Sequence, residues 1–575
     1  MHIRRSICAL LTASTFTIQF TSAYVSQPRQ GTEKCTQSTV AILGGGMAGV
    51  AAAQALHNAS ITDFVILEYR DTLGGRVWHT DFGADENGKP YVVEFGANWL
   101  QGVGSNDTEN PVWTLAQNHK LKNTYSNYDN IRTYDETGYT DYRDILAKYT
   151  QASEIASKEA GRILSENLQD QTARSGLALA GWRPRKDDMK AQAVEWWNWA
   201  KERNQDWEAA SSPETSSFVF GIAGENLTFN QFGPSNHLVL DPRGYNSLIN
   251  LEASTFLTTT PQDPRLHLST PITNITHSPA GVTIHTANQT CHTAAYAICT
   301  FSLGVLQNSA VTFHPALPDW KQTSIHKFNM NTYTKIFMQF PSTFWPKDTE
   351  FFLYASPHNR GYYPVFQSLT GPTFLSNSNI LFVTVVDEQA YRVERQPLAQ
   401  TKSEILAVLR EMFPDKDVPE PIAFTYPRWS TEPWAYGSYS NWPAGTTLEM
   451  HQNLRANVDR LWFAGEATSA PYFGFLHGAW FEGRDAGREV ADLLLGREKC
   501  EKNEKGVGKK RRKGGRNEDG DGDQDGETGC GQRTHYEVLH GTTPTEAYSD
   551  LNGWPGGLDV SSTAEKAIDE EREDL

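Results

Sequence analysis

The chain has 575 residues, a length that corresponds to about two to four domains of ordinary size. Hydrophobic residues make up 38% of it and charged residues 21%, so the chain can form a large core and is not disordered throughout. The formal net charge of −17 argues against nucleic acid as the main partner, because binding phosphates requires a basic surface.

Residues 1–23 are typical of a secretory signal peptide. Arg4 and Arg5 form a basic start, a mostly apolar stretch follows, and small residues up to Ala23 provide a cleavage site. A mitochondrial transit peptide is the alternative, because the stretch is rich in Ser and Thr and lacks acidic residues. No later segment has the ~20 apolar residues that a membrane span needs. We therefore predict a secreted or vacuolar protein without a membrane span.

Acceptor triplets for N-glycosylation, Asn-x-Ser/Thr, add to this prediction. They begin at Asn58, Asn106, Asn226, Asn274 and Asn288. Since such triplets also arise by chance, they support the signal peptide and do not replace it.

Removal of the signal leaves the cysteines Cys35, Cys291, Cys299, Cys500 and Cys530. An odd number means that at least one thiol is free or forms an intermolecular bond. The spacings match neither a CxxC motif nor a metal-binding cluster. We therefore expect the hydrophobic core, and neither disulfides nor zinc, to hold the fold.

A βαβ unit is predicted near the start of the mature chain. Residues 39–49, TVAILGGGMAG, combine a buried strand with a glycine-rich turn. Residues 48–57 have helical composition, and residues 64–67 form a second apolar strand.

The turn of this unit has the pattern of a dinucleotide-binding site. Its three GxGxxG glycines permit a tight turn, a close approach to a pyrophosphate and close packing of helix on strand. The N–H groups that open the helix stabilise phosphate, and the acid that ends the second strand can accept hydrogen bonds from ribose hydroxyls. The cofactor-binding residues predicted here are Gly44, Gly46, Met47, Ala48, Gly49 and Glu68.

The middle of the chain divides into segments of different character. Residues 141–210 are mainly helical in composition, and residues 265–300 alternate as a β-meander that returns to the first domain. Residues 331–385 contain several strand-like segments, and residues 401–413 predict an amphipathic helix. Residues 461–495 predict a strand, a glycine-rich turn and a helix.

From about Glu498 the chain loses its apolar periodicity. A basic run, KKRRKGGR (509–516), precedes an acidic, glycine-rich run, EDGDGDQDGETG (518–529). This composition predicts a disordered tail. The basic run fits either a nuclear signal or a dibasic processing site, and the predicted signal peptide favours the processing site. A solvated tail without a role is the third interpretation.

Three segments together resemble the flavin-containing amine oxidase family. They are EYRDTLGGRVW (68–78), VEFGANWLQG (93–102) and LWFAGEATSAPYFGFLHGAWFEGRDAG (461–487). The resemblance spans about residues 38–495. It implies an α/β fold with a Rossmann-like FAD-binding domain and a second, α+β substrate-binding domain.

The same resemblance implies the domain organisation. The FAD-binding domain is expected in three parts, the substrate-binding domain in two, and the signal and tail lie outside both. The boundaries are 1–23 for the signal, 38–123, 240–325 and 439–497 for the FAD-binding domain, 124–239 and 326–438 for the substrate-binding domain, and 498–575 for the tail.

The resemblance implies roles for three charged residues, Arg76, Glu466 and Lys335. Arg76 is expected to neutralise phosphate or flavin charge, and Glu466 to contact the ribityl–pyrophosphate region. NTYTKIFMQFPSTFWP (331–346) is similar to plant and fungal polyamine oxidases, in which a lysine matching Lys335 holds a water against flavin N5. A lysine suits this task because burial can lower its pKa. A strand lysine that faces solvent is the alternative.

PRWSTEPWAYGSYSNWPAG (427–445) also resembles this family. Tyr439 and Phe475 match two rings that face each other before the flavin, where an amine chain gains dispersion and cation–π attraction. Polyamine oxidases carry the two ring types in the opposite order, so the hydroxyl moves to the other wall. Trp429 is expected beside the flavin or the tunnel wall. Ordinary core packing is the alternative for all three.

The substrate tunnel departs from the family at one position. Plant polyamine oxidase has a carboxylate two positions after the Trp of GANW, and this chain has Gln101. A neutral amide cannot pair with a distal ammonium, which costs about 1–3 kcal/mol. Glu208, in DWEAASSPETSS, matches the family's other tunnel acid. N-acetylated polyamines or other amines therefore join spermine and spermidine as candidate substrates.

The predicted function is that of an FAD-dependent polyamine oxidase. A hydride passes to flavin N5, the imine is hydrolysed, and O2 is reduced to hydrogen peroxide. Monoamine oxidases attach FAD through a cysteine near the aromatic stretch; no cysteine lies between Cys299 and Cys500, so we expect non-covalent FAD. No metal and no nucleic-acid, membrane or protein partner is predicted.

Three other functions remain open from the sequence. A secreted L-amino-acid oxidase would need an arginine that clamps the substrate carboxylate. A lysine-specific histone demethylase shares the fold, but the signal peptide and the acidic charge oppose a chromatin role. A flavin-binding protein whose catalysis has decayed is the alternative from a different class.

Overall fold

The computed structural model describes residues 35–104, 109–166, 168–197, 206–258, 263–497, 531–539 and 541–542. The predicted signal peptide and most of the predicted tail lie outside these ranges.

The elements follow in chain order. Up to residue 139 they are β1 (Thr36–Leu43), α1 (Met47–Asn58), β2 (Phe64–Leu67), β3 (His79–Phe82), β4 (Tyr91–Glu94), β5 (Trp99–Gln101), α2 (Pro111–Asn118), β6 (Asn123–Tyr125), β7 (Ile131–Asp135) and β8 (Gly138–Tyr139). Up to residue 254 they are α3 (Arg143–Ser165), α4 (Ala173–Leu179), α5 (Met189–Trp197), α6 (Asp206–Ala209), α7 (Phe218–Phe232), β9 (Asn236–Val239) and α8 (Ser247–Ser254).

The second half continues the numbering. Up to residue 339 the elements are β10 (Leu266–His267), β11 (Ile272–Ser278), β12 (Gly281–Thr286), β13 (Cys291–Cys299), α9 (Leu303–Gln307), β14 (Thr312–His314), α10 (Asp319–Lys327), β15 (Asn329–Asn331) and β16 (Tyr333–Gln339). The rest are β17 (Phe351–Tyr354), β18 (Val365–Ser368), β19 (Ile380–Val386), α11 (Asp387–Arg395), α12 (Leu398–Met412), β20 (Ala423–Thr425), β21 (Tyr439–Asn441), α13 (Leu448–Arg455), β22 (Leu461–Phe463) and α14 (Leu476–Leu494).

The first large sheet contains the predicted βαβ unit. Strands β10, β2, β1 and β13 lie side by side and run parallel, with β22 parallel to β13 on its other edge. β11, β12 and β13 form the predicted meander. The apolar ends of β1 and β2 are buried, as strands covered on both faces require. This sheet brings strands from three distant parts of the chain together.

Helix α14 returns the C-terminal part of the body to this sheet by packing against α1. A Cβ on Gly483 would overlap the carbonyl oxygen of Ala48, and one on Gly487 would press on Ala52. The two helices can therefore approach at backbone distance only because these positions are glycine. The glycines of the motif FEGRDAG thus place α14 directly beside the turn of the dinucleotide motif.

The second large sheet has the order β20, β16, β19, β18, β17, β7 and β8. Its pairs are antiparallel except β17 with β7. β16 and β19 are buried along their whole length, and Lys335 lies on β16 opposite Thr384. The strands come from the segments assigned to the substrate-binding domain; the domain boundaries themselves stay predictions.

Two expectations from the sequence need correction. Cys35 and Cys291 form a disulfide that ties the start of β1 to β13. The expectation that the hydrophobic core holds the fold without disulfides is therefore wrong. Cys299 is free and buried, and Cys500 and Cys530 lie outside the described residues. Residues 531–539, placed in the disordered tail, pack on the body through hydrogen bonds and an ion pair.

No helix within the described ranges is long and apolar enough to cross a bilayer.

Candidate functional site

A cavity of about 450 Å³ lies where the two large sheets meet. Every residue predicted for the site lines it except Gly49: the lining includes Gly44, Gly46, Met47, Ala48, Glu68, Arg76, Gln101, Glu208, Lys335, Trp429, Tyr439, Glu466 and Phe475. The fold therefore gathers into one cavity residues that are separated by up to several hundred positions in sequence.

The glycine-rich turn forms one end of the cavity. Gly44 adopts a φ of +112°, a conformation that favours glycine, and its N–H donates to Leu67 O at 2.9 Å. A Cβ on Gly49 would overlap Gly44 O, so the third glycine serves helix packing rather than the lining. α1 starts after Gly46 with no side-chain cap and no acidic residue in its first turn. Its N-terminal N–H groups are thus available to an anion.

Glu68 directly follows β2 and lies beside this turn, as predicted. Its Oε2 accepts the N–H of Gly45 at 2.5 Å, and its Oε1 accepts the N–H of Arg70 at 2.8 Å. Burial raises the pKa of Glu68, while these two backbone hydrogen bonds act in the opposite direction. Each carboxylate oxygen keeps a second lone pair, which suits it to accept a ribose hydroxyl from the cavity.

Arg76 and Glu466 form an ion pair at 2.7 Å across the cavity wall. Glu466 also accepts Ser440 N at 3.2 Å, Ser440 Oγ at 2.6 Å and Gly474 N at 2.9 Å. Ser440 follows Tyr439, and Gly474 precedes Phe475. Glu466 therefore ties together the two backbone segments that carry the predicted aromatic walls, a role that the sequence did not indicate.

Lys335 is 1% exposed, and its Nζ donates to the carbonyl oxygen of Gly96. Nζ lies 5.7 Å from the ring centroid of Trp99. Burial lowers the pKa of Lys335, and the carboxylate of Glu94 opposes this shift. The alternative of a solvent-facing strand lysine is therefore wrong, and a neutral amine at the cavity wall becomes accessible near neutral pH.

Glu94 is the acid that the sequence reading missed. It is 6% exposed; its Oε1 accepts Tyr245 N at 2.7 Å, and its Oε2 is buried without a hydrogen-bond partner. Burial raises its pKa, and the positive charge of Lys335 lowers it. A charged residue inside the otherwise apolar strand YVVEF was the available signal.

Aromatic side chains form much of the wall around Lys335. The ring of Tyr439 lies 6.0 Å from that of Tyr333, and Trp207 lies 5.5 Å from Tyr333 and 5.9 Å from Trp99. Trp207 and Tyr333 also line the cavity and were not predicted. Their positions beside Glu208 and Lys335 in the sequence were the signal that could have found them.

Phe475 and Trp429 occupy other parts of the same wall. The Phe475 ring lies 5.1 Å from that of His477 and 6.1 Å from that of Phe229. Trp429 is 1% exposed, and its indole Nε1 has no hydrogen-bond partner. Whether Phe475 faces Tyr439 across a substrate stays a prediction.

Gln101 and Glu208 form one polar unit at 2.7 Å, with the amide Nε2 of Gln101 donating to Oε1 of Glu208. Burial raises the pKa of Glu208 to about 7, and this hydrogen bond acts in the opposite direction. Both residues line the cavity. The structure thus places one carboxylate, oriented by an amide, among the aromatic rings.

The short helix α6, which carries Glu208, is anchored by a buried ion cluster. Arg360 pairs with both oxygens of Asp206, with Nη2 at 2.7 Å from Oδ1, and with Glu195 at 2.8 Å. Arg174 pairs with the same Glu195 at 2.5 Å. Paired charges of this kind need their partners, so the cluster holds Asp206 and the adjacent Trp207 and Glu208 in place.

The residues of the cavity fit a dinucleotide with a redox-active ring. The uncapped start of α1 suits a pyrophosphate, and the Glu68 carboxylate suits a ribose. A Cβ on Gly75 would lie 3.4 Å from the Cα of Gly46, so the two glycine-rich turns line a narrow part of the cavity. No group of three or more potential metal ligands occurs among the described residues. The fold and the site have the features expected of an oxidoreductase with a nucleotide cofactor, together with a cavity lined by aromatic rings and a carboxylate.

Known proteins identify the family. A family model described as flavin containing amine oxidoreductase matches residues 47–491. The chain is 37% identical over 466 residues to polyamine oxidase 1 of Zea mays, covering 79% of this chain and 90% of that protein. It is 37% identical over 458 residues to polyamine oxidase 7 of Oryza sativa subsp. japonica, covering 77% and 93%.

Solved structures agree on the fold. Wild-type putrescine oxidase bound to putrescine matches with a TM-score of 0.60 and 18% identity, over 80% of this chain and 100% of that chain. The chain belongs to the flavin-containing amine oxidoreductase family, and it is an amine oxidase. The predicted family, fold class and enzyme class are confirmed.

Proposed function

We propose that this amine oxidase binds FAD non-covalently and oxidises polyamines. The observation that carries the substrate assignment is the Gln101–Glu208 unit, which sets one carboxylate among aromatic rings in the cavity. The similarity to plant enzymes named polyamine oxidases supports it. The overall reaction consumes the amine, O2 and water, and gives an aldehyde, a smaller amine and hydrogen peroxide.

The flavin, when bound, supplies the acceptor for a hydride and returns two electrons to O2. The chain's own residues hold the flavin. The N–H groups at the start of α1 bind the pyrophosphate, and Glu68 accepts hydrogen bonds from a ribose. Arg76, held in place by its ion pair with Glu466, offsets the negative charge of the cofactor. Trp429 lines the same cavity, and its buried Nε1 is without a hydrogen-bond partner.

Lys335 holds a proton site at the wall of the cavity. Because burial lowers its pKa, Nζ can be a neutral amine that keeps a water in position and takes up a proton. Glu94 lies on the strand leading to Gly96, whose carbonyl receives the Nζ hydrogen bond, and its negative charge favours the protonated form of Lys335.

The substrate is a chain with a reacting amine and a distal ammonium. Glu208 pairs with the ammonium, and the aromatic walls contact the carbon chain. Since Gln101 is neutral, the unit offers one negative charge, which suits spermidine and spermine and also N-acetylated polyamines.

The cavity opposes the amino-acid oxidase alternative. Arg76 is the one arginine among the described residues that line it, and Arg76 is paired with Glu466 and with the carbonyl oxygen of Ser438. A substrate carboxylate would thus meet Glu208 without a free guanidinium to clamp it.

Peroxide release from a panel of amines tests the proposal. Spermine, spermidine, their N-acetyl derivatives, a monoamine and an L-amino acid are supplied to the purified holoenzyme in turn. We expect turnover with the polyamines and with one or more N-acetyl derivatives. Turnover restricted to the amino acid would support the oxidase alternative, and no turnover with any compound would support a protein whose catalysis has decayed.

The purified protein is expected to be yellow and to release its flavin on precipitation with acid or heat. The physical reason is that no cysteine stands near Tyr439 to form a thioether. Absorbance of the supernatant and mass spectrometry of the released flavin give the result and identify FAD. Flavin that stays with the precipitated polypeptide would contradict the assignment.

We further propose that the protein is secreted after cleavage near Ala23. The Cys35–Cys291 disulfide supports this, because such bonds persist in oxidising compartments. Asn288, one of the acceptor asparagines, is exposed, whereas Asn106 lies outside the described residues. Expression in a secreting host followed by N-terminal sequencing of the medium protein tests the proposal; retention inside the cell would refute it.

A further inference from the structure

The segment Gly531–Leu539, called here the docked segment, lies on the body away from the cavity. It contacts a surface made by α10, the C-terminal half of α13, β22 and α14. The side chains of this surface, called here the tail groove, are Trp320, Gln452, Asn453, Asn457, Trp462 and Glu489. Neither the catalytic cavity nor the proposed reaction uses it.

Buried amides of the groove bind the backbone of the docked segment. Asn453 donates from Nδ2 to Tyr536 O at 2.8 Å and accepts Tyr536 N at its Oδ1 at 2.7 Å. Gln452 Nε2 donates to Thr534 O at 2.9 Å. With the segment in place, Asn453 and Gln452 are 0% and 1% exposed, so these hydrogen bonds are shielded from water. Such contacts recognise an extended backbone.

Arg533 supplies the anchoring side chain of the docked segment. It is 8% exposed, pairs with both oxygens of Glu489 at 2.9 Å, and lies 5.0 Å from the ring of Trp462. Its backbone N–H donates to Asn457 Oδ1 at 2.8 Å. A bidentate, buried arginine is a specific contact, and truncating it would leave Glu489 without this partner.

The next residue pair extends the contact. The rings of His535 and Trp320 stack with centroids 4.4 Å apart and an interplanar angle of 20°. The docked segment thus contacts both α14 and α10, two helices that are far apart in the sequence.

The groove is linked to the cavity through β22. Arg533 Nη1 donates to the carbonyl oxygens of Arg455 at 3.2 Å and of Phe463 at 3.4 Å. Phe463 ends β22, three positions before Glu466, which holds the segments of Tyr439 and Phe475. The docked segment therefore fixes the strand from which the cavity wall departs.

We propose that the tail groove is a peptide-binding site whose occupant is the chain's own segment Gly531–Tyr536, and that the bound segment clamps β22 in the flavin-binding part of the protein. Binding rests on non-covalent contacts. Proteolytic cleavage within the basic run (509–516) is therefore expected to leave the segment bound to the body. This interaction is independent of the amine that the enzyme oxidises.

The test uses the full-length holoenzyme with a site-specific protease sequence inserted between Gly514 and Gly515. After cleavage, the C-terminal fragment is expected to elute with the body in gel filtration. Arg533→Ala is expected to raise the dissociation constant of the fragment by roughly tenfold or more, because it removes a charged, bidentate contact. Before cleavage, the same substitution is expected to lower the Tm and to speed loss of bound flavin on dilution.

Arg516→Ala, in the basic run, is the matched control and is expected to change neither elution nor Tm. Separation of the unmodified fragment from the body at micromolar concentration would overturn the proposal. So would equal behaviour of the Arg533 and Arg516 variants. Differently tagged, uncleaved copies that bind each other through the docked segment would show that the segment occupies the groove of another copy. That result would overturn the assignment of the segment to the groove of its own chain.

Discussion

Replacement of Lys335 by Met is expected to slow amine oxidation by about 10²- to 10⁴-fold while the flavin stays bound. Lys335 is 1% exposed at the cavity wall, and its amine is the one lysine Nζ among the described lining residues. Met keeps the length and the apolar contacts of the stem but removes the group that holds a proton. Stopped-flow spectroscopy would measure reduction by amine and reoxidation by O2 separately, and we expect one or both to slow.

Lys327→Met is the matched control for this variant. Lys327 is half-buried on α10, and its Nζ donates to Ala444 O at 3.4 Å outside the cavity lining. The control is expected to keep both half-reactions. Wild-type rates in both half-reactions of Lys335→Met would remove the lysine from the chemistry despite its position.

Replacement of Glu208 by Gln is expected to lower kcat/KM for spermidine by about tenfold to a hundredfold. A hydrogen bond to a charged group contributes about 1.5–3 kcal/mol, and about 1.4 kcal/mol corresponds to a factor of ten in kcat/KM. The amide can still pair with Gln101, so the wall keeps its shape. Oxidation of a monoamine without a distal ammonium is expected to change little.

The pH dependence gives a second measure of the same contact. The pKa of Glu208 is raised to about 7, so below pH 7 the free enzyme carries its neutral form, which cannot pair with an ammonium. The ratio of kcat/KM for spermidine to that for a monoamine is therefore expected to fall as the pH drops through 7. Taking the ratio removes the contribution of Lys335, which both substrates share.

Glu214→Gln is the matched control, because Glu214 is exposed and pairs with Arg174 outside the cavity. It is expected to leave the ratio and its pH dependence unchanged. If Glu208→Gln keeps the wild-type ratio at pH 8, Glu208 does not bind the distal charge, and the polyamine assignment loses its main support.

Much of the fold and part of the site follow from local sequence. The pattern from Val40 to Leu67 predicted strand, turn, helix and strand, because burial periodicity and glycine conformations depend on neighbours in the chain. The same pattern placed Glu68 beside the turn, where its carboxylate accepts Gly45 N. Lys335 was assigned through a motif, and its burial on β16 agrees with the apolar residues around it.

Other features of the site could not be read from the chain. The sequence treated Gln101 as a lost tunnel charge and Glu208 as a separate tunnel acid, whereas the fold joins them by one hydrogen bond. Arg76 and Glu466 were expected to serve the cofactor separately, and the fold pairs them across 390 positions. Glu94, close to the VEFGANWLQG motif, gained meaning only when the fold brought its carboxylate near Lys335.

The tail shows most clearly what the sequence predicts and what only the tertiary structure decides. Its composition alone predicted disorder over 498–575, because charge and glycine content lower the apolar area that a segment can bury. Residues 531–539 nevertheless dock, since Asn453, Gln452 and Glu489 form complementary partners on distant helices. Sequence by itself determined the dinucleotide motif, the enzyme family and the prediction of a lysine at the cavity, because their signals are local. Only the tertiary structure decided which distant polar groups meet, because such pairings depend on the path of the backbone and not on spacing along it.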